Sequence, residues 1–376
     1  MASDAPSPQR IARLTPLSDV LARLDALDPV EAALVETGAA GGAILAQDCT
    51  CPDAVPPRPL ALRDGWAVRA EWTADASSYA PAIPGTMPPR IEAGEPLPAA
   101  ADAVLPPEHL ALTGGRAEIL VAIAPFDGVL QAGGDVARAQ ILRRAGERLR
   151  NADIALLQAA GLARVAVRRP RIRIVALARP DDPFIGAAAA LLMSAIENDG
   201  GAAALDHREK NTFAFDPAPA ADHDAVIVIG GTGTGREDRS VADLPPAAGL
   251  VAHGIALSPG ETAAVAILGR VPLLMFPGRI DAVSACWLAL GRPLLARLGG
   301  RAESHPAAPA ALTRKVSSTI GVTDFVLVRR DGTIAEPLAA RYWPLQAMAR
   351  ANGFVVVPAG SEGFPAGMSV SVSDWP

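Results

Sequence analysis

Cysteine is scarce in this sequence: Cys49, Cys51 and Cys286 are the only three in 376 residues, too few for a disulfide framework. Side chains two apart on a strand share a face, so Cys49 and Cys51 are expected to point the same way. No other Cys or His lies near them in sequence, which leaves zinc without a ligand set. Aromatics are thin at 4%, so Ala, Val and Leu must fill the interior. Gly, Pro or charge breaks every apolar run before it reaches spanning length. Residues 1–13 carry no apolar stretch with a cleavage pattern. A cytoplasmic protein without membrane contact is expected. Basic excess is missing as well: the net charge is −6, which argues against a nucleic-acid-binding face. The run Arg168, Arg169, Arg171, Arg173 reads as a solvated strand edge rather than an anion site.

Common catalytic signatures are absent too. There is no GxSxG elbow, no HExxH and no EF-hand loop. The five histidines, His109, His207, His223, His253 and His305, are scattered and expected on the surface. A nucleotide oxidoreductase built on a sheet would need GxGxxG and an acidic ribose partner, and neither is found.

What is present is ample core material. Hydrophobic residues make up 50% and charged residues 20%, and the length calls for two to four domains. Residues 1–14 read as a loose tail. Apolar spacing over residues 17–27 predicts a helix, with Thr15 as cap and Pro16 at the first helical position. Residues 49–145 are Pro-rich with short β stretches (66–68, 103–105, 119–123), the pattern of a separate β-rich domain. From Arg171 the pattern changes. Continuous apolar strands at 172–177, 225–229 and 272–276 alternate with helical stretches at 187–198 and 281–298, which predicts a parallel sheet with helices on both faces. Residues 302–310 read as a linker. Residues 313–376 return to strands (325–329, 353–357, 368–372), a small all-β module.

The sharpest local signal follows the strand at 225–229. Gly230, Gly231, Gly233 and Gly235, with Thr232 and Thr234 between them, give backbone N–H groups and hydroxyls room to approach a phosphate or pterin. The spacing is neither GxGxxG nor a P-loop. Pro277, Gly278 and Arg279 form a second turn on the same edge, where a guanidinium suits a phosphate and the next helix presents its N-terminus. Pro259 and Gly260 form a third. Asp64-Gly65, ahead of an apolar strand, is by spacing an ordinary turn.

In combination these segments resemble the molybdopterin molybdotransferase family (MoeA and the C-terminal domain of gephyrin). Arg63-Asp64-Gly65-Trp66-Ala67-Val68-Arg69 is similar to the family's DGYAVR. Gly94, Pro96, Pro98 and Asp102 follow its TGAPLPEGADAVV. Gly146-Glu147 resembles RRxGED, and Gly230 to Asp238 resembles GGVSVGDYD. Arg314, Lys315, Ser317, Ser318, Gly321, Phe325, Gly353 and Pro358 follow its C-terminal segment. The resemblance implies a MogA-like parallel α/β sheet domain (171–303), a β-rich second domain (49–145), an elongated discontinuous linker domain (1–48 and 146–170) and a C-terminal β-barrel-like domain (304–376). It implies insertion of molybdate into adenylylated molybdopterin with release of AMP. Asp64, Glu147 and Asp238 would be catalytic, and Asp64 and Asp238 would hold Mg²⁺. Gly230, Gly231, Thr232, Gly233, Thr234, Gly235, Pro259, Gly260, Pro277, Gly278 and Arg279 would bind the pterin and nucleotide. A homodimer is implied, with a molybdopterin adenylyltransferase or a client molybdoenzyme as partner.

Departures from the family pattern are concentrated at charged positions. Arg236 and Arg148 stand where the family has acids, Glu261-Thr262 replaces a Lys-Pro pair, Arg279 replaces an Asn, and Ala93 replaces a Thr. The family's acidic segment between Ala176 and Gly201 finds no clear counterpart in Asp181, Asp182 or Glu197. Exchanging acids for arginines weakens Mg²⁺ and favours direct anion contact. Two functions therefore follow: an active transferase with a shifted site, or a degenerate member that binds and carries the cofactor.

Overall fold

The computed structural model describes residues 9–178, 182–209, 222–302 and 307–375; Asp181 and His305 lie outside them. Its centre is a six-stranded sheet in the order Ala202–Glu209, Arg171–Ala178, Ala225–Ile229, Val271–Phe276, Ala264–Leu268, Ala248–His253. The first four strands are parallel. Ala264–Leu268 runs antiparallel to both of its neighbours. The sheet is therefore mixed rather than wholly parallel, because a hairpin at Gly269-Arg270 joins Ala264–Leu268 to Val271–Phe276.

Successive residues on these strands point to opposite faces, so residues two apart share one. On one face, Ile172, Ile174, Ile227, Ile229 and Phe276 pack against Leu192, Leu288 and Leu295 of the helices. On the other, Val175, Leu177, Val226, Val228, Leu273 and Met275 meet Val241 and Leu244. Among the described residues that second face is covered by this loop and not by a helix. Every residue of Ala225–Ile229 is buried, which is why its sequence shows no alternation.

The helix Pro183–Asn198 begins four residues earlier than the apolar pattern predicted, with Pro183 in its first turn. Asp182 caps it, accepting from the Phe184 and Ile185 amides at 2.9 and 3.3 Å. The second helix runs from Ile280 to Leu298 with a wide π turn at Trp287–Gly291. Pro293 removes one helical N–H and crowds the carbonyl four residues back, Ala289, which lies in that wide turn. Gly291 lets the turn close on itself: a Cβ there would come 2.1 Å from the Trp287 ring.

Two corrections concern the N-terminus. The first helix is Leu17–Asp25, Pro16 is its N-cap, and no side chain caps it. Thr15 instead bridges to the sheet domain, donating to the Gly254 carbonyl and accepting from the Ala256 amide. Residues 9–15 are thus held, not loose. Residues Ala33–Glu36 and Ile44–Leu45 share a three-stranded sheet with Arg164–Arg168. Ile44 is fully buried against Gly200 and Gly299, where any larger residue would push the two units apart.

In the β-rich region Gly65–Val68 pairs with Arg90–Ile91 and Ala103–Leu105. The strand expected at 119–123 is found at Arg116–Ile119, hairpinned to Leu110–Thr113. At the C-terminus, Thr323–Asp331, Ile334–Ala339, Ala307–Leu312, Ser369–Asp374 and Gly353–Val357 close into a five-stranded barrel around Val326, Val328, Leu312, Val355 and Val372. Ala307–Leu312 thus begins inside the stretch read as a linker. Leu257–Ser258 adds to this barrel alongside Thr323 and Asp324.

The cysteines are free and buried; Cys49 lies on a strand and Cys51 just beyond it. Within the arginine run, Arg169 and Arg171 are exposed as expected, but Arg173 is not on a solvated edge. Arg171–Ala178 is the second strand of the sheet, and Arg173 is paired with Asp206 at 2.5 Å. No helix among the described residues is long and apolar enough to cross a membrane.

Candidate functional site

Three of the parallel strands end on one rim. Directly after Ile229 the chain turns through Gly230 and Gly231, at φ 101° and 74°, the left-handed region that favours glycine. The Gly230 amide donates to the Phe276 carbonyl at 2.8 Å, which ties this turn to the one after Phe276. A Cβ on Gly278 would lie 3.6 Å from the Gly230 Cα and 3.3 Å from Ile185; one on Gly230 would lie 3.1 Å from the Leu177 carbonyl. The two turns therefore meet backbone to backbone.

The third turn joins through threonines. Thr232, 1% exposed, places its hydroxyl 3.1 Å from that of Thr262. Thr262 follows Pro259, Gly260 and Glu261, and Gly260 (φ 122°) packs on Cys286. Burial pushes the Cys286 thiol well up, with Glu261 and Asp281 adding to it, so the thiol stays protonated and inert. Glu261, in the family's lysine position, accepts from the Gly260 amide at 3.1 Å. Thr234 and Gly235 are exposed at the tip.

Two residues not expected here hold this loop. Gln9 donates through Nε2 to the carbonyls of Gly231 (2.7 Å) and Gly233 (2.6 Å). His253, half-buried rather than on the surface, donates through Nε2 to the Thr232 carbonyl at 2.9 Å. Nothing in the sequence marked Gln9, which lies in the stretch read as a loose tail. His253 ends the strand Ala248–His253, whose Ala- and Gly-rich composition hid it. Asp238 turns back on its own loop, accepting from the Gly235 amide at 3.0 Å, and a Cβ on Gly233 would collide with it at 2.6 Å.

Beside the second turn lies a cleft of about 540 Å³ between the sheet domain and the barrel, lined by Asp182, Phe184, Gly278, Arg279, Tyr342 and Leu345 among others. The Arg279 guanidinium is held from two sides. Asp281, only 3% exposed, takes Nε and Nη2 side-on and also accepts from the Trp343 amide. The Tyr342 ring stacks 4.6 Å away. The hydrogen bond that Arg279 donates to Asp281 raises the Arg279 pKa further above its ordinary value. Arg279 is thus already neutralised by a neighbour, where the sequence offered it to a phosphate. Asp281 and Tyr342 went unnoticed because neither belongs to a motif.

The other two acids lie on separate units. Asp64 accepts from the Ala93 amide at 2.9 Å, within the β-rich region. Gly65 after it has no room for a side chain, since a Cβ would meet the Leu105 carbonyl at 2.2 Å. Glu147 faces Arg143 at 3.6 Å, and Arg143 also binds the buried Asp153. Burial alone raises Asp153, but hydrogen bonds from Arg150 and Arg143 outweigh it and hold the carboxyl at about 2. Arg148 donates to the carbonyls of Gly42 (3.2 Å) and Glu197 (3.3 Å). The rim glycines, Thr232, Asp238 and Arg279 are thus gathered on the sheet domain, while Asp64 and Glu147 are held elsewhere by their own neighbours.

A resident Mg²⁺ does not fit these donors. Among the described residues no three His, Cys, Asp or Glu side chains form a group that could hold a metal ion. The Asp64 and Asp238 carboxylates sit on different units, each engaged by a backbone amide.

Comparison with known proteins agrees with this architecture. Residues 14–161 match the model "MoeA N-terminal region (domain I and II)", residues 188–297 the "Probable molybdopterin binding domain" and residues 309–375 the "MoeA C-terminal region (domain IV)". Molybdopterin molybdenumtransferase 2 of Mycobacterium tuberculosis is 27% identical over 384 residues, covering 89% of this chain and 93% of the relative. Molybdopterin molybdenumtransferase 1 of the same organism is 27% identical over 313 residues, covering 76% and 73%. Two crystal structures of a molybdopterin biosynthesis MoeA protein from Pyrococcus horikoshii superpose with a TM-score of 0.74, at 22% and 26% identity, covering 96% and 97% of this chain and 100% of theirs. With three matched segments in order and a sheet domain, β-rich region and barrel in the same succession, the chain belongs to the MoeA family of molybdenum cofactor biosynthesis.

Proposed function

We propose that this chain binds adenylylated molybdopterin at the glycine rim and inserts molybdate into its dithiolene, with release of AMP. The observation that carries this reading is the contact of Gly230 with Gly278. Two strand-end turns lie backbone to backbone there, so a phosphate or planar ring can approach main-chain N–H groups with no side chain between. The transferase names of the relatives support the class of reaction.

In this reading Gly230, Gly231, Thr232, Gly233, Thr234 and Gly235 bind the phosphorylated end of the pterin. Pro259-Gly260 and Pro277-Gly278 shape the two sides, and the cleft at Arg279 receives the nucleotide. The need of the reaction is to stabilise negative charge as the pyrophosphate link breaks. Backbone dipoles of the glycine rim are this chain's means of doing so, since Arg279 is already paired with Asp281, and no step is assigned to a resident metal ion. Asp64, Glu147 and Asp238 are proposed to position molybdate. A homodimer would bring the partner subunit's Asp64 toward the rim, and a molybdopterin adenylyltransferase or a client molybdoenzyme would supply or receive the cofactor.

A second reading, binding and carriage without turnover, is favoured by one observation. Arg148, in place of an acid, donates to the Gly42 and Glu197 carbonyls and supplies no carboxylate. Incubating the purified protein with adenylylated molybdopterin and molybdate, and following AMP by chromatography, separates the two. AMP release supports the transferase. Tight binding without AMP supports the carrier. Neither binding nor release overturns both.

A further inference from the structure

In the loop after Ile229, three consecutive carbonyls are taken by protein donors. Gly231 O receives Gln9 Nε2 and the Ser240 amide, Thr232 O receives His253 Nε2, and Gly233 O receives the second Gln9 N–H. The corresponding N–H groups, on Thr232, Gly233 and Thr234, meet no acceptor among the described residues. A trans peptide sets its C=O and N–H in opposite directions. Fixing the Gly231 and Gly233 carbonyls on Gln9 therefore aims the Thr232 and Thr234 amides together, away from Gln9. Fixing the Thr232 carbonyl on His253 aims the Gly233 amide away from the imidazole. Thr232 is 1% exposed, so leaving its amide without an acceptor is costly unless a ligand supplies one.

We propose that Gln9 and His253 are positioning residues that turn this loop into an array of amide donors for a phosphate group. The proposal rests on the reading of the glycine rim as the molybdopterin site and adds the residues that polarise it. Gln9 suits the task because one carboxamide offers two N–H donors to two alternate carbonyls, while its Oε1 accepts from the Ala242 amide at 3.4 Å. The segment bearing it is anchored independently of the loop. Ile11 and Arg13 pack against Gly254, immediately after His253, and Thr15 hydrogen-bonds on both sides of Ile255. Gln9 lies ahead of the first family-model match, which begins at residue 14, while His253 lies within the matched segment 188–297. An incoming phosphate would accept from Thr232, Gly233 and Thr234 while the loop carbonyls stay occupied, and no carbonyl dipole would face the anion.

The test uses the full-length protein and inorganic pyrophosphate as probe, with backbone amide resonances and calorimetry as readouts. In the wild type, pyrophosphate is expected to shift the amide resonances of Thr232, Gly233 and Thr234. In Gln9→Ala and in His253→Ala, affinity is expected to fall about tenfold, the loss of one or two positioning hydrogen bonds. The Gly233 amide shift should be lost first in His253→Ala, and the Thr232 and Thr234 shifts first in Gln9→Ala. Gln9→Glu removes the donors and adds a negative charge, so binding should fall further. A merely structural role would change the melting temperature while leaving the amide shifts of folded protein intact. Wild-type affinity and shifts in both alanine variants would overturn the positioning role alone. A wild type whose loop amides ignore pyrophosphate would overturn the rim as a phosphate site, and the positioning role with it.

Discussion

Arg148 donates through Nη2 to the carbonyl of Glu197, in the last turn of the sheet-domain helix Pro183–Asn198, while its Nε reaches Gly42. A cation at a helix C-terminus is favourably placed against the helix dipole. Arg148→Ala is expected to cost about 1 kcal/mol in urea unfolding. Arg148→Asp, which restores the family's acid, should cost more, because it sets a carboxylate against two carbonyl oxygens. It should not raise AMP release. A gain of activity in Arg148→Asp would show that the position still belongs to the chemistry.

Glycine at 230 and 278 is a requirement of space and of backbone angle. Gly230→Ala places a Cβ near the Leu177 carbonyl at φ 101° and is expected to cost about 1–3 kcal/mol. Gly278→Ala meets only the flexible end of Ile185 and the Gly230 Cα, so it should fold well while losing affinity for the pterin. Thermal melts beside ligand titrations separate the two effects.

Asp153 predicts a specific acid sensitivity. Its folded carboxyl lies at about 2 against an ordinary 3.8. A depressed folded value means that the stabilisation is complete above about pH 4 and fades as pH falls toward 2. Asp153→Asn is expected to cost about 2 kcal/mol near neutrality, with the difference from wild type shrinking between pH 4 and 2. Chemical denaturation at a series of pH values measures this directly.

The Arg279 and Asp281 pair should be strongly coupled. Arg279→Ala strands a carboxylate that is 3% exposed, for which about 3 kcal/mol is expected. Arg279→Ala combined with Asp281→Ala should recover part of that loss, since no buried charge remains. A double-mutant cycle with no coupling would remove this pair from the list of features that hold the cleft together.

Much of this architecture was legible because its strongest signals are continuous. The buried strand Ala225–Ile229, an unbroken apolar run, and the largely apolar helix ending at Leu298, each followed by glycine, were read almost to the residue. Ala248–His253 and Ala264–Leu268 were not, because alanine and glycine weaken any strand signal, and with them went the antiparallel half of the sheet. The arginines near 170 misled for a related reason. Arg173 lies on an inner strand, where Asp206 on the adjacent strand neutralises it, and sequence carries no record of that pairing. The rim glycines could be identified from local backbone demands. Gln9 could not, since its partners lie 222 and 224 positions away. The charged candidates Arg279, Glu147 and Asp238 each have a partner that the linear sequence does not reveal.

The short strand Leu257–Ser258 leads straight into Pro259 and Gly260, yet its hydrogen-bonding partner is the barrel strand at Thr323 and Asp324. One of the three rim turns is therefore tied by hydrogen bonds to another domain. A rocking motion of the barrel would lift that turn away from Thr232 while the other two turns stayed fixed to the sheet. Substrate admission and barrel orientation would then be a single movement, governed by residues remote from any bound pterin.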